Sequence, residues 1–214
     1  MKIIKPSFEV VDIVNGDAVL KKLERVARIC YDSGDKITEV SARKFVKGLI
    51  DKGHEAMIEH HTLSVIFTID RGISHEIVRH RHCSFAQSST RYINYTKDKY
   101  GEISVIEPFY LEEGTRGYDT WAKSCAIAEA AYFDLIKECF PPEKARVVLP
   151  TSTKTELVVT CNLREWRHIF RLRCSKKAHP QIREVMLPLL YKLHSKIPVV
   201  FDDIWEMYKD EFAN

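Results

Sequence analysis

Nine residues, Thr62 to Asp70 (TLSVIFTID), constrain the fold more than any other stretch. They are apolar and rich in β-branched side chains, and so predict a core strand. Arg71-Gly72 turns out of it, and ISHEIVRHRH then predicts a short helix or helical turn. The polar stretch that follows, RHRHCSFAQSSTRY from Arg79 to Tyr92, is therefore held close to a core.

The remaining pattern is mostly helical. DAVLKKLERVARICYD places Leu20, Leu23, Val26, Ala27 and Cys30 on one helical face. TEVSARKFVKGLIDKG predicts a second helix, closed by Gly53. YDTWAKSCAIAEAAYFDLIKECF predicts a long helix stopped by Pro141-Pro142, and PPEKARVVLP a short one between prolines. Asn162 to Arg173, Gln181 to Ser195 and FDDIWEMYKDEF complete the helices. FEVVDIV (Phe8 to Val14) and KTELVVTC predict strands, and Gly101 to Gly117 predicts a loop region. The expectation is one α+β domain over residues 1–214.

Composition narrows the function classes. A chain of 214 residues can bury a sizeable core. With 33 basic and 30 acidic residues, the net charge of +3 does not by itself argue for nucleic acid, so the placement of the bases decides. The six cysteines form no CxxC pair and no secretory segment opens the chain, which predicts a reduced, cytoplasmic protein without disulfides or a zinc ribbon. No apolar run reaches the roughly 20 residues of a membrane helix. GxSxG, P-loop and GxGxxG patterns are absent, and no serine or cysteine stands out as a nucleophile.

Arg79, His80, Arg81 and His82 stand beside Ser84, Gln87, Ser88, Ser89 and Thr90. Bases at a helix end suit the helix dipole, but guanidinium forks next to short hydroxyl donors also suit phosphate. On a helical wheel Leu163, Trp166, Ile169 and Phe170 share an apolar face, and Arg164, Arg167, His168 and Arg171 share a basic one. Arg173 falls on the apolar side. There it is a residue beyond the helix end, a buried cation met by a carboxylate, or a pocket-lining arginine. Arg146, alone in an apolar segment, reads as a surface or salt-bridged residue. GHEAMIEHHT offers His54, Glu55, Glu59, His60 and His61 without the HExxH spacing, so the expectation is no metal.

These residues resemble the signature of the flavin-dependent thymidylate synthases. Arg79-His80-Arg81, seven residues, Ser89 and then Arg91-Tyr92 is similar to the family's arginine-histidine-arginine motif with its distant serine. GHEAMIEH, ARVVLP, CNLREWRHIFRLR and AHPQIRE resemble further family segments in the same order, so the resemblance runs from about Phe8 to Trp205. It implies a central, mainly antiparallel sheet flanked by helices, assembled as a homotetramer. It implies reductive methylation of dUMP to dTMP, with methylenetetrahydrofolate as carbon donor, NADPH as reductant and FAD as the relay. No cysteine nucleophile is then needed, and neither nucleic acid nor membrane is a partner.

Carried onto this sequence, the resemblance assigns Arg79, His80, Arg81, Asn162, Arg164, His168, His54, Ala56 and Gln87 to the flavin. It assigns Glu76, Arg79, Gln87, Ser88, Ser89, Arg91 and Arg146 to dUMP, and Arg173 to catalysis at the uracil ring. The chain departs from the family pattern at several places. Ala86 replaces an asparagine, Gln87 a glutamate found in some members, Glu76 a glutamine, His179 a glutamine, and Cys30 and Ala56 replace hydroxyl residues. Two other readings stand beside this one: a diverged member that binds FAD without methylating, and a basic nucleic-acid-binding protein.

Overall fold

The strand predicted at Thr62–Asp70 forms over those residues as β3, in a computed structural model that describes residues 1–97 and 101–212. Its side chains alternate, with Leu63, Val65, Phe67 and Ile69 all buried. Lys154–Asn162 forms its neighbour β6, which buries Thr155, Leu157, Val159 and Cys161 in the same alternation. Leu163 N donates to His61 O at one end of this pair and Arg71 N to Thr153 O at the other, so the two strands run antiparallel. Ser7–Val10 (β2) and Cys83–Gln87 (β4) complete a four-stranded sheet in the order β2-β3-β6-β4.

Three details correct the sequence reading. Arg71-Gly72 is no turn; it starts the helix α3, Arg71–Ile77, capped by Asp70, whose side chain accepts from Ile73 N at 2.8 Å. The basic-and-serine stretch contains a strand, β4, that its mixed polarity hides. The supposed loop after Gly101 holds Ser104–Ile106 (β5), which pairs in parallel with Lys2–Ile4 (β1). Such three-residue strands are too short to show a period, and the pairing sets them.

The chain gathers into two compact units. One comprises Met1–Ser7, Ile66–Arg79 and Phe85–Val158; the other comprises Phe8–Val65, His80–Ser84 and Val159–Asn214. By these ranges β3 and β6 each carry residues of both. In the first unit Arg116–Lys137 (α4) supplies Cys125 and Tyr132 to a core with Tyr95, Ile103, Val105 and Ala145. Thr115 caps α4, and the short helix Pro142–Ala145 (α5) follows the predicted proline stop.

In the second unit Gly16–Arg28 (α1), Ser41–Asp51 (α2), Leu163–Arg173 (α6), Pro180–Lys196 (α7) and Pro198–Phe212 (α8) pack together. Leu20, Leu23 and Ala27 of the predicted α1 face are buried, whereas Cys30 lies past the helix and is exposed. Gly53 ends its segment at φ 74°, where a side chain would be strained. Gly16 meets the Lys196 carbonyl so closely that a Cβ has no room.

Candidate active site

Helix α6 organises the second unit's polar face. Asn162 caps it, its Oδ1 accepting from Glu165 N at 2.9 Å. Leu163, Trp166, Ile169 and Phe170 are fully buried, as the wheel predicts. The helix runs through Arg173, so that residue is neither beyond the end nor on the surface. Its Nε donates to Nε2 of His80 at 3.1 Å, which answers the oddity of an arginine on the apolar side. The His80 ring is 5% exposed, and its Nδ1 lies 3.4 Å from the buried Glu165 carboxylate. The His168 ring meets it edge-on, with centroids 5.8 Å apart. Burial, then the charges of Arg173 and His168, hold the His80 pKa down at about 4, so its ring is neutral near pH 7.

The expected basic face is not uniform. Arg167 is 1% exposed and clamped between carboxylates: Nη2 reaches Glu55 at 2.9 Å and Nη1 reaches Asp203 at 2.7 Å. Its Nη1 also donates to the Val200 carbonyl. Arg171 joins the same two carboxylates at 3.2 Å. Burial pushes the Glu55 and Asp203 carboxyls up, and the guanidiniums more than offset it, so both titrate below the ordinary range. Arg167 therefore corrects the wheel: it is a structural cation that fixes the segment after His54. Arg164 is exposed and pairs with Glu59 at 2.6 Å.

Two cavities open in this unit. One of about 580 Å³ is lined by Asn162, Arg164 and His168, together with His82, Glu165 and Arg171. The other, about 860 Å³, is lined by His54, Ala56, Cys30 and apolar side chains that include Phe45, Leu49 and Met57. Both fall in the range of about 300–1,000 Å³ typical of ligand pockets. The structure thus gathers the expected flavin residues of this unit at two cavities or beside them, with Arg81 exposed in the turn after His80. Arg171, His82 and Glu165 were not among the expected site residues. His82 had a signal, as the fourth base of the RHRH run, whereas Glu165 reads as an ordinary first-turn acid.

The first unit gathers most of the expected nucleotide residues. Arg146 Nη1 donates to Thr90 Oγ1 at 3.4 Å, and Arg91 Nη2 lies 3.9 Å from Glu143. Ser89 Oγ accepts from Arg91 N at 3.3 Å. Arg91, Tyr92, Arg146 and Arg79 are exposed, and Arg91 stacks over Tyr92. Gln87 and Ser88 are tied into the sheet. Gln87 Nε2 donates to Ser74 at 2.9 Å and to Thr155 at 3.2 Å, and Ser88 Oγ meets Thr155 at 2.9 Å. Glu76 sits half-buried on α3.

The buried cysteines are unsuited to nucleophilic attack. Burial pushes the Cys174 thiol up to about 12 and raises Cys125 and Cys161 as well.

The family model for the thymidylate synthase complementing protein matches residues 12–199. A flavin-dependent thymidylate synthase of Mycolicibacterium vanbaalenii is 32% identical over 207 residues, covering 88% of this chain and 80% of the relative. Those of Geobacter sulfurreducens and Pyrococcus furiosus are 33% and 34% identical, covering 83% of this chain and 78% and 71% of theirs. This chain belongs to the flavin-dependent thymidylate synthase family. Its fold is shared with a UMP/dUMP methylase of Streptomyces cacaoi solved with 5-Br dUMP: TM-score 0.77, 23% identity, 97% of this chain and 98% of the other. As a member of the flavin-dependent thymidylate synthases, it holds the arginine-histidine-arginine motif with a buried central histidine between two exposed arginines. The His179 departure has a local role, since its Nδ1 accepts from Gln181 N at 3.3 Å and caps α7.

Proposed function

We propose that this chain methylates dUMP to dTMP, with FAD as bound cofactor, methylenetetrahydrofolate as carbon donor and NADPH as reductant. The observation that carries the reading is Arg173 held by a neutral, buried His80 rather than left to solvent. It is supported by family membership and by the relatives' names. The S. cacaoi methylase, which shares the fold, acts on dUMP by its name.

The residues fit the flavin on the chemistry of the donor set. The smaller cavity offers guanidinium and imidazole groups to a diphosphate, with Glu55, Glu59 and Glu165 also in its lining and Glu59 and Glu55 paired with Arg164 and Arg171, and the larger, mostly apolar cavity suits a fused aromatic ring. Asn162, Arg164, His168, His80, Arg79, Arg81, His54, Ala56 and Gln87 would hold it. When bound, FAD supplies the hydride relay and carries the one-carbon unit.

The chain's own residues do the rest. Arg91 and Arg146 grip the nucleotide phosphate, and Ser88, Ser89, Arg79, Glu76 and Gln87 are assigned to the same ligand. The Arg173 guanidinium faces the uracil ring and stabilises its ionised form, which makes carbon 5 a better nucleophile. The whole of 1–214 acts as one domain, in a cytoplasmic homotetramer that binds neither nucleic acid nor membrane.

The test is an absorption titration. Purified protein mixed with FAD should retain flavin bands that shift saturably with dUMP, and the mixture should form dTMP once the folate and NADPH are added. Flavin retained without a dUMP response would favour the diverged homologue. No flavin, with steeply salt-dependent binding to DNA, would favour the nucleic-acid reading.

A further inference from the structure

We propose that Glu165 is a positioning residue: its carboxylate keeps the His80 proton on Nδ1, so that Nε2 stays bare and orients the Arg173 guanidinium. The inference rests on the role proposed for Arg173 at the uracil ring.

The His80 ring links Glu165 to Arg173. Arginine can only donate, so the 3.1 Å contact from Arg173 Nε requires Nε2 of His80 to be an acceptor. A neutral imidazole then carries its proton on Nδ1. Nδ1 faces Glu165 Oε1 at 3.4 Å. Both side chains are buried, Glu165 at 8% exposed, so water does not compete freely for either. The carboxylate is available because Asn162 Oδ1 already serves the α6 N-terminus.

Among the described residues, Glu165, His168 and Arg173 are the charged or titratable groups found against His80. Burial first, and then the Arg173 guanidinium, oppose protonation of the ring, so Glu165 faces a neutral N–H and not an imidazolium. The ligand atoms of His80, Glu165 and His168 lie within 4.8 Å of one another, as in a metal site. A metal there would have to displace the Nδ1 proton or the Arg173 contact of His80.

Two variants separate the pull of the carboxylate on the Nδ1 proton from mere packing. E165M has similar bulk and no acceptor, whereas E165Q keeps a carbonyl oxygen for the Nδ1 proton. Holoenzyme labelled with ¹⁵N-histidine, its His80 signals assigned against His80→Asn, reports which ring nitrogen is protonated. Wild type and E165Q should show the proton on Nδ1, and E165M a mixture of tautomers. The kcat of E165M should fall by about tenfold with flavin retention and Tm close to wild type, and E165Q should return it to within about threefold.

An unchanged tautomer or unchanged kcat in E165M would overturn the proposal, as would E165Q failing as badly as E165M. If E165M does not fold, E165Q alone decides, and loss of its Nδ1 proton signal overturns the assignment. Absence of dUMP turnover in wild type would sink the proposed function instead, while the spectrum would still read the ring.

Discussion

At the residue scale, Arg173 and His80 form the most informative pair. Arg173→Ala should leave the flavin spectrum intact and lower kcat/KM for dUMP by about 10²–10³. Normal turnover would remove its assigned role. His80 makes a pH prediction whose sign follows from its depressed pKa. As pH falls from about 6.5 toward 4, the unfolded chain takes up the proton first, so stability on the order of 3 kcal/mol is progressively lost over that window. The same proton on Nε2 would end the contact with Arg173, so dUMP binding should weaken on the acid side. Denaturant melts of wild type and His80→Asn at pH 7 and pH 4.5 check this. An equal loss in both would assign the effect to other groups.

At the element scale, α6 has two kinds of charge. Arg167 neutralises Glu55 and Asp203 from a buried position, so Arg167→Ala leaves two carboxylates without it and should cost about 3–5 kcal/mol. Calorimetry reads that loss, and a change under 1 kcal/mol would show the network to be dispensable. Gly16→Ala should cost about 1–3 kcal/mol, because the new methyl group meets the Lys196 carbonyl. An unchanged Tm would mean that α1 shifts freely. Long periodic elements such as α1, α4, α6 and β3 were legible in the sequence. β4 was not, because its residues CSFAQ have no apolar run and its place is set by pairing with β6. Nor was the burial of Arg167, since a wheel cannot show that carboxylates from other segments converge on it.

At the scale of the whole molecule, several large apolar side chains stand exposed, among them Ile29, Tyr31 and Val40. Their exposure supports the proposed self-association. Sedimentation of the wild type should show a tetramer, and Ile13→Asp with Ile29→Asp, both exposed and neither lining a cavity described above, should shift it to smaller species. An unshifted tetramer would clear this surface. Saturating FAD should raise unfolding stability by about 2.7 kcal/mol at a hundredfold excess over its Kd. The family, the helical frame and the identity of the cations could be read along the chain, because ordered motifs and helical periods are local properties. Folding settles which cations serve the structure, that Nε2 of His80 accepts from Arg173, and that Glu165 lies against Nδ1. Those outcomes depend on burial and on partners far apart in sequence, which no local pattern encodes.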